Sequence, residues 1–300
     1  MKRKVIQLAG KTFVVSLPTT WAREWGIEKG DEIELTERGS EIIIGTQRAR
    51  DSKRGTADAS NVNERTLRWM LSSMHKKGYD EIEIKTKNQE HAKLIDELLK
   101  DLFLGFAVVH KSDSHCVVRS VSKELDDQFE IILRRAFLVT LNLADDSLKL
   151  IKQKKFDQLP DLISLEKMNN QLTNFCQRLL NKRGHEDPMK TNFMYVIVWN
   201  LEKIADDYKY LCEHLSNKKN VSNDVLNCLE HANELIRGYY ELFYGFNIEK
   251  LSALAENHKN LKTEIHSALE KGKDAVALSH ILHSITNTAD FSASMFAVHN

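Results

Sequence analysis

The sequence predicts a multidomain α+β protein with a small β-rich head, a small α/β module and a mostly helical body. Three observations predict it. Residues 1–45 hold short β-type runs punctuated by glycine. Residues 61–121 mix helical and alternating patterns. From about residue 122 onward, apolar residues recur at helical spacing over long stretches.

In the head, Val5-Ile6-Gln7-Leu8 and Thr12-Phe13-Val14-Val15-Ser16-Leu17 read as two short strands around Gly10-Lys11. Pro18 opens a short helical stretch from Thr19 to Trp25. A glycine-flanked segment, Gly26 to Gly30, leads into Asp31-Glu32-Ile33-Glu34-Leu35. Residues 46–60 carry no large apolar side chain and are mostly charged or small, so 48–60 are expected to be a linker after a head spanning 1–47.

The module is expected over residues 61–121. Leu67, Met70, Leu71 and Met74 mark a helix, Tyr79 to Ile84 alternates as a strand, and Leu94, Ile95, Leu98, Leu99 and Leu102 mark a second helix. Residues 105–109 and 116–118 form an expected hairpin across Lys111 to Ser114. No chemistry is readable from this module.

Six helices are expected in the body, over 122–154, 160–182, 189–216, 221–246, 248–271 and 273–298. Pro160 and Pro188 stand at expected helix starts, where a missing N–H costs little. Six helices in this order suggest two three-helix bundles, 122–217 and 218–300. A weak internal repeat supports the split. Glu166-x-x-x-Asn170 and Glu202-x-x-x-Asp206 in the first half are answered by Glu256-x-x-x-Asn260 and Thr286-x-x-x-Asp290 in the second.

Composition narrows the function classes. The 43 basic and 43 acidic residues cancel, which argues against a chain coated in basic charge but leaves room for a local patch. No apolar run is long enough to span a membrane. The four cysteines, Cys116, Cys176, Cys212 and Cys228, show no C-x-x-C spacing and read as reduced thiols of a cytoplasmic protein. Catalysis is not expected. No P-loop, G-x-S-x-G, H-E-x-x-H or paired Glu-x-x-His is present, and His280 with His283 makes only one helical pair. Trp21 and Trp25, four residues apart, and the aromatics Tyr239, Tyr240, Phe243, Tyr244 and Phe246 are read as packing residues.

Two family resemblances sharpen this. Arg3-Lys4-Val5, Gly10-Lys11, Leu17-Pro18, Trp21-Ala22-Arg23-Glu24-Trp25-Gly26-Ile27 and Lys29-Gly30-Asp31 resemble the AbrB/MazE swapped-hairpin DNA-binding domain. That resemblance implies a head formed by two interleaved chains, hence a homodimer, with Lys2, Arg3, Lys4, Lys11 and Arg23 facing DNA. Acidic residues crowd the later part of the head (Glu24, Glu28, Asp31, Glu32, Glu34, Glu37), so its charge is polarised. A head that serves only to hold the dimer remains the alternative.

Trp199-Asn200-Leu201-Glu202-Lys203-Ile204-Ala205-Asp206-Asp207 resembles the PhoU signature, and Ile285-Thr286-Asn287-Thr288-Ala289-Asp290 resembles a degraded copy. The resemblance covers about 122–300 and implies PhoU-like tandem three-helix bundles. With the head, it resembles archaeal phosphate uptake regulators. It implies phosphate homeostasis, a DNA partner, and a phosphate-transporter ATPase or signalling partner. The alternative is an adaptor that docks on a phosphate transporter and represses it without binding DNA.

The same resemblance implies a divalent, iron or zinc metal at helix carboxylates, here Glu202, Asp206 and Glu166 with Asp290 and Glu256. Carboxylates at i and i+4 share a helix face and can grip a hard cation. Asn170, Asn260 and Thr286 stand where the pattern expects acids, and each weakens such a site. Pairing of Asp206 with Lys203 and Lys209 is the plainer reading of that stretch.

Overall fold

The computed structural model describes residues 2–38, 40–45, 53–87, 89–121 and 128–300. The chain divides into two compact units, Met1–Ser52 and Lys53–Asn300.

In the first unit, β1 (Val5–Leu8) pairs antiparallel with β2 (Thr12–Val15), and α1 (Thr19–Glu24) follows. Then β3 (Glu34–Arg38) pairs antiparallel with β4 (Glu41–Gly45). Each hairpin is a separate two-stranded sheet. Ala9 and Gly10 both take positive φ in the first turn, the geometry whose twist suits a tight hairpin. Gly26, at φ 59, stops α1 while the Ile27 amide reaches back to the Ala22 carbonyl at 2.8 Å, a left-handed helix ending.

The second unit begins earlier than the sequence suggests. Of the expected linker, residues 48–52 lie outside the described residues, but Arg54–Asp58 is a strand, β5. It pairs in parallel with β6 (Glu81–Lys85), which lies antiparallel to β8 (His115–Ser120), and β8 pairs with β7 (Phe106–Lys111). The small residues Gly55 and Ala57 lie against the helix layer, and a Cβ on Gly55 would meet the Tyr79 ring at 2.7 Å. A polar, small-residue run is thus compatible with an edge strand that other residues cover. Helices α2 (Glu64–Lys76) and α3 (Gln89–Leu102) pack over this sheet around Leu67, Leu71, Ile82, Ile84, Ile95 and Leu98.

The body holds α4 (Phe129–Lys152), α5 (Ile163–Arg183), α6 (Thr191–Leu215), α7 (Asn223–Tyr244), α8 (Ile248–Glu270), α9 (Ala275–Ala289) and α10 (Phe291–His299). The first expected helix is described only from Phe129, since residues 122–127 lie outside the described residues. Pro160 sits inside a 3-10 segment, Phe156–Leu162, rather than opening α5, and Pro188 opens a 3-10 turn before α6. The expected helix 273–298 is two helices meeting at Asp290. Thr286 and Thr288 return their hydroxyls to the carbonyls of Leu282 and Ser284 at 2.8 Å each, a competition with the helix ladder that favours bending there.

Helices α4, α5 and α6 pack on one another, as do α7, α8 and α9. The trios join through α6 against α9 and α4 against α7. One continuous apolar core runs through all of them, from Leu133 and Phe137 to Ile285 and Phe291. Among the described residues, no helix is long and apolar enough to cross a membrane.

Candidate functional site

The head presents unusual surfaces. Its apolar strand residues are not covered: Phe13 is 70% exposed, Ile42 67%, Leu35 63% and Val5 61%. An isolated two-stranded hairpin is marginal in water, and exposed apolar patches of this kind mark a surface that takes a partner. Trp21 is half-buried and Trp25 is 37% exposed.

The five expected basic residues are all exposed. Lys2, Arg3 and Lys4 precede β1 at the open end of the first hairpin, where Val5 pairs with Val15. Arg23, in the last turn of α1, follows β2 from that same end. Lys11 lies at the turn, beyond the Leu8–Thr12 pair, roughly 10–13 Å along the strands at ~3.3 Å per residue. Within one chain, the basic residues therefore occupy both ends of the hairpin.

A family model described as "Antidote-toxin recognition MazE, bacterial antitoxin" matches residues 6–53. The head is a MazE/AbrB-like domain. No curated protein and no solved structure matches the chain. The MazE-like match coincides with the first unit and the start of the second, and it leaves the helical body unmatched.

In the body, the structure brings three of the five expected metal-binding carboxylates together between α5 and α6, but with lysines among them. The Lys209 ammonium lies 2.7 Å from Glu166 Oε1 and 3.0 Å from Asp206 Oδ1. Lys203 lies 3.1 Å from Asp206 and 3.5 Å from Glu202, and Lys76 of α2 lies 3.5 Å from Glu202. Asn170 donates to Glu166 at 2.9 Å, and Gln177 donates to Glu202 at 3.4 Å.

The electrostatics follow from this crowding. Burial opposes charge on Lys209, but Glu166 and Asp206 outweigh it and raise the lysine above its usual range. Burial likewise opposes charge on Asp206, yet Lys209 and Lys203 hold it below the usual carboxylate range. Glu166 moves the other way. Its burial, with Asp206 beside it, outweighs the ammonium and raises it.

These residues do not fit a metal. Ammonium groups already meet the carboxylates, and no group of three or more His, Cys, Asp or Glu among the described residues is arranged to hold an ion. The other two expected ligands do not join them. Glu256 pairs with Lys259 at 3.4 Å on the exposed side of α8, and Asp290 lies at the α9–α10 junction near His258, whose pKa burial and Lys262 lower despite Asp290. Asp207, the next residue of the signature, is buried. It accepts from Asn287 at 3.0 Å and contacts His283 Nδ1 at 2.7 Å, which places His283 in a pair with α6 that its spacing to His280 did not reveal.

Sequence reasoning missed the second polar feature altogether. Arg178 of α5, 1% exposed, donates to the carbonyls of His75 (3.0 Å) and Tyr79 (2.7 Å) and pairs with Asp80. Lys182 lies 2.6 Å from the same Asp80 oxygen, and the Lys53 amide donates to its other oxygen at 2.9 Å. Burial works against the Asp80 charge, but Lys182, the Lys53 amide and Arg178 together hold it below the usual carboxylate range. The one legible signal was an arginine in the middle of an otherwise packed helical stripe.

Proposed function

We propose that the protein is a DNA-binding transcriptional regulator of phosphate uptake and phosphate homeostasis. It acts as a homodimer through its head, and its PhoU-like body senses phosphate status through a transporter or signalling partner. It works in the cytoplasm and is not an enzyme. The observation that carries this reading is the head itself: a MazE/AbrB-like match over hairpins whose apolar side chains lie exposed. A second copy interleaved on those hairpins buries them and doubles the exposed basic residues available to phosphates. The phosphate part rests on the Trp199 to Asp207 signature and on the two trios of helices.

The test is binding of the purified protein to its own genomic fragments across a salt series, beside Lys11→Ala and Arg23→Ala. Each phosphate contact contributes about 0.9 to the slope of log affinity against log salt, so losing Arg23 from both chains flattens the slope by up to about 2. Selective binding that weakens with salt, with both variants impaired, supports the regulator. An intact dimer with no selective binding at low salt overturns it in favour of the transporter-docking adaptor.

A further inference from the structure

We infer that Lys209 is a built-in counter-cation, whose ammonium fills the place between Glu166 and Asp206 that a divalent ion would take, so that the stripe between α5 and α6 takes no metal. This inference concerns the body alone and stands whether or not the head binds DNA.

Three observations carry it. The first is position. The ammonium bonds one oxygen of Glu166 at 2.7 Å and one of Asp206 at 3.0 Å, so it sits where an ion shared by those two oxygens would sit. Lys209 is on the same helix as Asp206 and three residues from it, so the helix backbone fixes its reach.

The second is charge. Lys76, Lys203 and Lys209 meet Glu202, Asp206 and Glu166 one for one within 3.5 Å. Glu166 is only 5% exposed and Lys209 17%, so water screens these charges weakly. A divalent ion entering a balanced, half-buried cluster would find no net attraction and would have to displace the Lys209 ammonium.

The third is the set of neutral oxygens carried by the same stripe of α5. Asn170 gives its amide nitrogen to Glu166, and Gln177, fully buried, gives its own to Glu202. Their carbonyl oxygens, Asn170 Oδ1 and Gln177 Oε1, are buried with no hydrogen-bond partner among the described residues. Carboxylate and amide oxygens are the donors that a hard cation prefers. The stripe therefore offers two carboxylate oxygens to one cation, with Asn170 bonded to Glu166 beside them, and a lysine holds the cation's place. Removing that one charge while keeping the stem's bulk opens the site.

The experiment uses the full chain, dialysed against chelator, with Mn2+ or Zn2+ as the probe. Bound metal is measured by elemental analysis and the melting temperature is followed in parallel. We expect wild type to hold no stoichiometric metal and to melt at the same temperature with or without the ion. Lys209→Met is expected to take up Mn2+ stoichiometrically and to gain a few degrees in melting temperature on binding, since a ligand selective for the native state stabilises it. Adding Glu166→Gln to that variant abolishes the gain. Lys209→Arg, which keeps the charge, binds none. Stoichiometric metal in wild type that is lost in Glu166→Gln overturns the inference, and so does a folded Lys209→Met that binds nothing. If Lys209→Met does not fold, wild type and Lys209→Arg decide: metal on either overturns the inference, and metal on neither supports it.

Discussion

His75 gives the sharpest test of how the α/β module is built. Its ring is fully buried at the end of α2, stacked on Phe103 at 4.4 Å and meeting Phe106 edge-on at 4.9 Å. Neither ring nitrogen has a hydrogen-bond partner among the described residues. Burial, then Arg178, then Lys76 push its pKa well below 6.5, so the folded ring is neutral. The sign follows from proton counting. Below pH 6.5 the unfolded chain binds a proton that the native state refuses, so stability is fully present above 6.5 and falls as pH drops. The loss is about 1.4 kcal/mol per pH unit while the folded ring stays neutral. Between pH 6.5 and 5.0 this one side chain removes about 2 kcal/mol. His75→Phe keeps the stacking and the backbone carbonyl that Arg178 uses, and it removes the titration. Urea denaturation of wild type and His75→Phe at pH 7.5, 6.5, 5.5 and 5.0 measures the difference. The two curves should diverge by about 2 kcal/mol in favour of the variant as pH falls to 5.0, against any constant offset at pH 7.5. A constant difference at every pH refutes the reasoning, because it means that the native ring takes up protons as readily as the unfolded one.

Arg178→Met should destabilise the second unit by about 3–5 kcal/mol, because it breaks the buried pair with Asp80 and leaves the Tyr79 carbonyl without its donor, while the His75 carbonyl keeps only the Gly78 amide. A denaturation midpoint that stays put would contradict the buried pair. Gly55→Ala places a Cβ 2.7 Å from the Tyr79 ring and 2.8 Å from Met74 Cε, so β5 must shift at a cost of about 1–3 kcal/mol, visible in the melting temperature. A neutral effect would mean that β5 is not held against those side chains. Phe13→Glu combined with Ile42→Glu puts charge on the exposed hairpin faces. Light scattering should show wild type as a dimer and this variant shifted to monomer, and a monomeric wild type would overturn the paired-head reading.

The sequence made the helices legible because their apolar periodicity survives any packing detail, and α5, α6, α7 and α8 lie within a few residues of their expected bounds. It hid β5, because Arg54-Gly55-Thr56-Ala57-Asp58 has a single β-branched residue, Thr56, and no alternating apolar bulk. That strand exists through its parallel partner β6, a contact that no local pattern announces. The candidate site was half legible. Glu202 and Asp206 do share one face of α6, since i,i+4 spacing fixes it whatever the fold, whereas Glu166 of α5 joins Asp206 through Lys209. Lys203 and Lys209 were visible beside Asp206, but Lys76 arrives from a helix more than a hundred residues away in the chain, and with it the charge balance that decides against a metal.

Helix α5 explains why the module and the body are one unit. Glu166, Asn170 and Gln177 bond to each other or to α6. The interleaved residues Gln171, Asn174, Arg178, Asn181 and Lys182 serve the module instead. Asn181 donates to the Lys76 carbonyl at 2.9 Å and Arg178 to that of His75, both in the last turn of α2, while Gln171 and Asn174 reach the Lys100 and Leu102 carbonyls that close α3. The last carbonyls of a helix have no partner within it, and burying them unpaired would cost about 1–3 kcal/mol each. An apolar α5 would cover those helix ends without satisfying them. A polar α5 supplies donors to the Lys76, Lys100 and Leu102 carbonyls and a second donor to that of His75, which the Gly78 amide already meets, so it fixes which ends dock and at what rotation. Asp80 extends the same contact to the Lys53 backbone, the first described residue after the head. The Lys53 backbone is therefore held through Asp80 by the same helix whose Glu166 meets Lys209.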